Sequence, residues 1–161
     1  MSKPPPQSAT VVALFTGRSP TVAIHDLPEP TAYVRRRSNV PLAVGPHGLE
    51  GDTLGTPRRL RQINHALYLM AQEHYLAHSD RLGRPVPQGG FSENVLYAGG
   101  PSETELRIGD RLRLGNAEII AVSPRVPCYK MTHFLCADQG YPAAFSASGR
   151  TGFYARVAVP G

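Results

Sequence analysis

Short apolar runs, separated by glycine and proline turns, recur along most of the chain. Thr10–Gly17 is a β-branched run that ends at a glycine, which is typical of a strand. Residues 31–44 predict one or two further strands, and residues 106–122 predict a tight hairpin with two glycine turns. Every second residue from Phe153 to Val159 is apolar, so this segment predicts a last strand with one apolar face.

One segment has helical periodicity instead. Apolar and aromatic residues recur at the i, i+3, i+4, i+7 spacing from Ile63 onward, so we expect a helix from Ile63 to Ser79. A second, short helix is expected from about Met131 to Ala137. Many short strands and few helices favour a mainly β fold, a distorted β-barrel with a few peripheral α-helices.

The length and composition agree with a single domain. The chain has 161 residues, enough for a genuine hydrophobic core, and it has no repeat, linker or break in composition. Residues 1–9 are small, polar and rich in proline, so they predict a disordered tail before a domain at residues 10–161. Without an apolar run of signal-peptide or membrane-spanning length, we expect a cytoplasmic protein that does not bind membranes.

The charge favours an anionic ligand. The formal net charge is +5, and the only lysines are Lys3 and Lys130, so nearly all the cations are arginines. Arginine presents a planar fork of donors that suits phosphate and carboxylate groups. The arginines are scattered, aromatic residues make up 7% of the chain, and no nucleic-acid-binding motif occurs, so we expect no nucleic-acid partner.

The segment SPRVPCYKM, residues 123–131, carries the strongest candidate for chemistry. Two prolines stiffen the backbone ahead of Cys128, with Arg125 on one side and Lys130 on the other. Nearby cations favour the thiolate, which could ligate a soft metal, attack an electrophile or carry a second sulfur atom as a persulfide. The alternative is a small apolar side chain under a turn. A zinc site with His133 and Cys136 would match no standard ligand spacing.

Other polar residues stand in glycine-rich loops. Arg150 lies between two glycines in SGRTG, where an anion could bind or the chain could simply turn. In GGFSENV, Asn94 is expected to make structural hydrogen bonds, whereas the role of Glu93 is open. Asp52 could be an acceptor that fixes a loop or a catalytic acid, and Cys136 could be a core residue or a resolving thiol.

Several of these segments together resemble the MOSC domain, which is named for the C-terminal part of molybdenum cofactor sulfurases. The matching segments extend from about His47 to the C-terminus and read HGLEGD, GGFSENV, ETELRIGDRLRLGNAEIIAVSPRVPCYKM and SGRTGFYARVAVPG. The resemblance implies a distorted β-barrel, similar to that of the pyruvate kinase barrel domain, and makes Cys128 the characteristic cysteine of the family. Two segments depart from the family pattern. LRQINHA, residues 60–66, replaces an H-G-G-x-D-K/R-A segment, and FSEN replaces FGEN.

The resemblance implies, first, an enzyme in which Cys128 ligates a pterin-bound molybdenum and which reduces N-hydroxylated or related small substrates. Arginine and lysine side chains would bind the cofactor phosphate or the substrate, and a polar pair would complete the cofactor site. These candidates are Arg125, Lys130, Arg150, Arg61, Glu93 and Asn94. The chain has no room for a flavin or iron–sulfur domain, so a separate electron-donor reductase would be its partner.

Two alternatives remain open. In the first, Cys128 handles sulfur without a metal, either accepting persulfide sulfur from a cysteine desulfurase or attacking sulfur in a small thio compound. The sulfurase members carry pyridoxal phosphate in a separate domain, so none is expected in this chain. In the second, the protein is a non-catalytic anion-binding barrel in which Cys128 is structural.

Overall fold

The computed structural model describes residues 8–53 and 63–161, which contain strands β1–β11 and helices α1–α3. The strands are β1 (Thr10–Gly17), β2 (Thr21–Ile24), β3 (Leu27–Pro30), β4 (Arg35–Arg37), β5 (Val44–Gly45), β6 (Gly48–Leu49), β7 (Leu67–Ala71), β8 (Val95–Ala98), β9 (Arg111–Leu114), β10 (Ala117–Pro124) and β11 (Phe153–Val159). The helices are α1 (His74–Leu82), α2 (Tyr129–Phe134) and α3 (Tyr141–Ala147). The predicted tail falls almost entirely on residues 1–7, outside the described residues.

Seven strands form one sheet in the order β4-β1-β8-β7-β11-β10-β9. Neighbouring strands are antiparallel except for β7 and β8, which are parallel. The end strands β4 and β9 do not pair with each other among the described residues, so the sheet is open. The fold is mainly β with a few helices, as predicted, but the sheet does not close into the predicted distorted β-barrel among the described residues. Alternation indicates where strands lie, whereas closure depends on whether the end strands meet, and alternation carries no information about that.

The predicted helix Ile63–Ser79 is also wrong over much of its length. Leu67–Ala71 is the central strand β7, and the helix α1 begins only at His74. All five residues of β7 are buried, because β8 and β11 flank it and both faces of the sheet are covered. A run that is apolar on both faces has no period of two, so its spacing resembled that of a helix.

The sheet has two apolar faces, and β7 contributes to both. Leu67 and Leu69 join one core cluster with β10 and β11, whereas Tyr68 and Met70 point to the opposite face and join the other. The second cluster includes buried residues of α2 and α3. Residues of α2, of β7 and of the segment just before β4 therefore meet on this second face.

Most other predicted elements are confirmed. The first strand, the hairpin β9–β10 around its Gly-Asn turn and the last strand β11 occur as expected. Residues 106–108 form no strand, so the hairpin lacks the extra arm that the pattern suggested. The second helix was placed two to three residues too far along the chain, and α3 was not predicted. No helix within the described ranges is long and apolar enough to cross a membrane.

Candidate functional site

A cleft of about 390 Å³ opens on the second face of the sheet. Its walls come from the segment between β3 and β4, from β7, from the turn before β8, from the loop between β10 and α2, and from β11. The residues that matter most for its chemistry are Tyr33, Arg35, Tyr68, Arg125, Cys128 and Tyr154.

Cys128 is placed by a rigid connection between two elements. It is the residue before α2, has extended backbone angles (φ −134°, ψ 168°) and follows Pro127, which restricts the preceding turn. The residue is half-buried and lines the cleft, so it is not sealed in apolar packing. Two arginines and Lys130 line the same cleft, so the surroundings of the thiol are polar as well as apolar.

Arg125 lies against aromatic rings at the back of the cleft. Its guanidinium carbon is 5.0 Å from the centre of the Tyr68 ring and 5.4 Å from that of Tyr154, and Nη1 donates a hydrogen bond to the Tyr154 hydroxyl. The buried Nε has no hydrogen-bond partner among the described residues. Since buried polar groups nearly always have partners, this N–H is a donor that a ligand could satisfy.

Lys130 is less free than its position in the sequence suggested. Its Nζ donates a hydrogen bond to the carbonyl of Pro30 at 3.2 Å and lies 3.4 Å from a carboxylate oxygen of Glu29, both in β3. The hydroxyl of Tyr129 donates to the same carboxylate, and this hydrogen bond, helped by Lys130, lowers the pKa of Glu29. Lys130 therefore lines the cleft with part of its charge already balanced.

Arg35 is a site residue that the sequence did not reveal. The Nε of Arg35 donates to the Ser92 carbonyl at 2.8 Å and to the Ser92 hydroxyl at 3.2 Å, and its Nη1 donates to Asp52. Burial lowers the pKa of Arg35, and the carboxylate of Asp52 opposes that shift. Asp52 also accepts from the backbone of Gly17 at 2.7 Å, so it acts as a loop-fixing acceptor. The only sequence signal was the run of three arginines, of which Arg35 alone lines the cleft.

Asn94 and Glu93 follow Ser92 but do different things. Asn94 lines the cleft, yet its Oδ1 accepts from the backbone of Tyr68 at 3.0 Å and its Nδ2 donates to Asp52 at 2.8 Å, as expected for a structural residue. Glu93 is fully buried, and one of its oxygens accepts from the Tyr75 hydroxyl and from a backbone N–H. Its other oxygen has no partner among the described residues, and burial raises the pKa of Glu93.

One predicted ligand residue, Arg150, is not brought to the cleft. Arg150 is exposed in the turn before β11 and does not line the cleft, and its backbone carbonyl accepts from His78 Nε2 at 2.7 Å. Arg61 lies outside the described residues.

Cys136 is a free, exposed cysteine in this structure. Its exposure rules out the core position. The six residues of α2 alone span about 9 Å, whereas disulfide-bonded Cα atoms lie within about 7 Å. The helix α2 separates the two thiols, and both are free in this structure.

Aromatic rings complete the cleft. His65 stacks on Tyr154 with their centroids 4.2 Å apart and their planes 11° from parallel. Tyr33 stacks on Phe134, and burial raises the pKa of Tyr33, which keeps its hydroxyl protonated. The cleft thus combines a thiol, cationic donors and flat aromatic surfaces. No group of three or more His, Cys, Asp or Glu residues within 8–53 and 63–161 could hold a metal ion.

These features define a β-rich domain that displays one cysteine in an arginine-lined cleft. The family model for the MOSC domain matches residues 47–161, and the chain belongs to this family.

Three relatives illustrate the similarity. The chain is 27% identical to YflK of Bacillus subtilis (strain 168) over 157 residues, covering 94% of this chain and 68% of YflK. It is 30% identical to YiiM of Escherichia coli (strain K12) over 160 residues, covering 93% of this chain and 66% of YiiM. The crystal structure of YiiM from Geobacillus stearothermophilus superposes with a TM-score of 0.74 at 25% identity, covering 96% of this chain and 70% of that one. The chain thus spans about two thirds of the length of these relatives.

Proposed function

We propose that the chain uses the Cys128 thiolate to ligate a pterin-bound molybdenum and to reduce N-hydroxylated or related small substrates. The observation that carries this proposal is the position of Cys128, half-buried in a cleft that Arg35 and Arg125 also line. A thiolate is a soft metal ligand, and guanidinium groups suit a cofactor phosphate.

The residues of the cleft fit such a cofactor. The buried Nε of Arg125 lacks a partner among the described residues, and an anionic oxygen would satisfy it. A metal in this cleft would have to bring ligands of its own, since the described residues offer no ligand cluster besides the single thiol. A pterin-bound metal does so. When bound, the cofactor would supply the two-electron redox chemistry.

The chain would bind, orient and protonate the substrate. Arg35 and Arg125 would hold the anionic group of the cofactor or substrate, and the stacked rings of His65 and Tyr154 would offer a flat contact surface. The Tyr154 hydroxyl accepts a hydrogen bond from Arg125, which leaves its own proton available for donation into the cleft. Reduction of an N-hydroxyl group consumes two electrons and two protons and releases water. The electrons would come from a separate reductase.

A metal-free sulfur carrier is the second candidate, because a half-buried thiol among cations could equally hold a persulfide. Its sulfur donor would be a cysteine desulfurase. In the third candidate, the non-catalytic anion-binding domain, the cleft would bind its ligand without any reaction at Cys128.

Metal analysis of matched cysteine variants separates these functions. We expect the protein, purified without chelators from a host that makes the cofactor, to contain stoichiometric molybdenum. Cys136→Ser should keep it, because Cys136 lies outside the cleft, whereas Cys128→Ser should lose it together with N-hydroxyl reduction driven by reduced viologen. Retention of both properties in Cys128→Ser would contradict the proposal. Absence of molybdenum together with the mass of an added sulfur atom on Cys128 would favour the sulfur carrier instead.

A further inference from the structure

Ser92 has a backbone conformation that serine rarely adopts. Its φ is +67°, in the left-handed region that glycine enters freely and other L-residues enter only at an energetic cost. The described residues contain four non-glycine positions with positive φ, which are His25, Asp26, Ser92 and Cys136. Ser92 is buried and lines the cleft, whereas the other three are exposed. Strained residues of this kind cluster at functional sites.

The strained turn directs two oxygen atoms of Ser92 toward one N–H group. The Nε of Arg35 is 2.8 Å from the Ser92 carbonyl oxygen and 3.2 Å from the Ser92 hydroxyl oxygen. At the other end of the guanidinium, Nη1 donates to Asp52. The guanidinium is thus held at two points, and its remaining N–H groups belong to a side chain that lines the cleft.

A glycine at position 92 would remove both the strain and the hydroxyl. In FSEN, serine stands where the family pattern that the sequence resembles has glycine. The carbonyl contact to Arg35 would remain with either residue, so the hydroxyl is the group that serine adds.

We propose that Ser92 is a positioning residue that orients the Arg35 guanidinium toward an oxyanion in the cleft, of the phosphate or carboxylate class. The proposal deepens the proposed function, since it rests on the same cleft as the ligand site, but it does not depend on molybdenum. Arg35 supplies the charge, and Ser92 determines where the charged donors lie.

The test compares two variants that share the loss of the hydroxyl but differ in strain. Ser92→Gly loses the hydroxyl and relieves the backbone, whereas Ser92→Ala loses the hydroxyl and keeps the strain. We expect Ser92→Gly to unfold at a higher temperature than Ser92→Ala. Both should bind inorganic phosphate, measured by titration calorimetry on the full chain, about threefold to tenfold more weakly than wild type, the range expected for the loss of one hydrogen bond of ordinary net strength.

A control and a double variant complete the design. Asp26→Gly relieves a similar φ of +63° at a residue that does not line the cleft, so it should leave phosphate binding unchanged. In an Arg35→Lys background, Ser92→Gly should have little further effect on phosphate binding, because the group it positions is gone.

Three results would overturn the proposal, namely wild-type affinity in Ser92→Gly, affinities that follow thermal stability across the variants, or a wild-type protein that does not bind phosphate. Failure of the proposed function is distinguishable, because Cys128→Ser would then keep its metal and activity while the phosphate series still held.

Discussion

The buried ion pair between Asp52 and Arg35 allows the magnitude of one perturbation to be worked out. The two side chains are only 3% and 6% exposed. Asp52→Ala would leave the Arg35 charge buried without its partner and would remove the acceptor of Gly17 N–H and of Asn94 Nδ2. Removing one partner of a buried pair costs about 3–5 kcal/mol. We therefore expect Asp52→Ala to lose about 4 kcal/mol, a large part of the roughly 5–15 kcal/mol that stabilises a typical domain.

Urea unfolding followed by far-UV circular dichroism would measure this loss. Glu118→Ala is the matched control, because Glu118 pairs with Arg111 at the surface, where the side chains are 38% and 63% exposed. Exposed pairs contribute at most about 1 kcal/mol, so the control should remain close to wild type. A loss below about 1 kcal/mol in Asp52→Ala, with an unchanged denaturant slope, would show that the buried pair is not needed for the fold.

Three further predictions concern other parts of the chain. Burial raises the pKa of Glu93 above its usual 4.5. Above pH 4.5 the unfolded chain therefore releases a proton that the folded chain keeps. The free energy of unfolding of the wild type falls as the pH rises, until the pKa of the folded state is passed. Glu93→Gln cannot ionise and should lack this decline in urea unfolding as the pH rises above 4.5; an identical decline in both proteins would refute the assignment. An alanine side chain at Gly48 (φ +115°) would overlap a backbone carbonyl, whereas at Gly51 (φ +78°) it would meet open space. Gly48→Ala should therefore be about 1–3 kcal/mol less stable than Gly51→Ala in the same assay, and equal losses would argue against the overlap. Cys128 lines an open cleft, so in Cys136→Ser it should react with iodoacetamide in the native state, at a rate well above that of global unfolding. Labelling only after unfolding would contradict this placement.

The fold was predictable where one face of a strand is apolar and the other is not. Thr10–Gly17 and the hairpin β9–β10 gave clear signals because they combine strand residues with glycine turns. β7 failed because burial on both faces removes the alternation. Openness of the sheet could not be predicted either, since it depends on which strands become neighbours after folding.

The candidate site was predictable where a distinctive local segment carries its residues, as in SPRVPCYKM and GGFSENV. Cys128, Arg125 and Lys130 lie within one short segment, and all three line the cleft. Arg35 lies in β4, far before Cys128 in the sequence, and Tyr154 lies in β11, after it. Only the order of the strands in the sheet brings the two residues together. Local pattern therefore identified the thiol, whereas cleft residues such as Arg35 and Tyr154 required the tertiary structure.

The place of β11 in the sheet has a consequence for how the chain reaches its native state. This strand is the last of the eleven, yet it lies between β7 and β10 and joins the two parts of the sheet. Until it inserts, β4-β1-β8-β7 and β10-β9 share no edge. Such distant pairing slows assembly, and a ribosome must release nearly the whole described chain before the two halves can be united. A chain truncated ahead of Phe153 should therefore contain two sheet fragments that no strand joins. We expect it to aggregate rather than to form a smaller native domain.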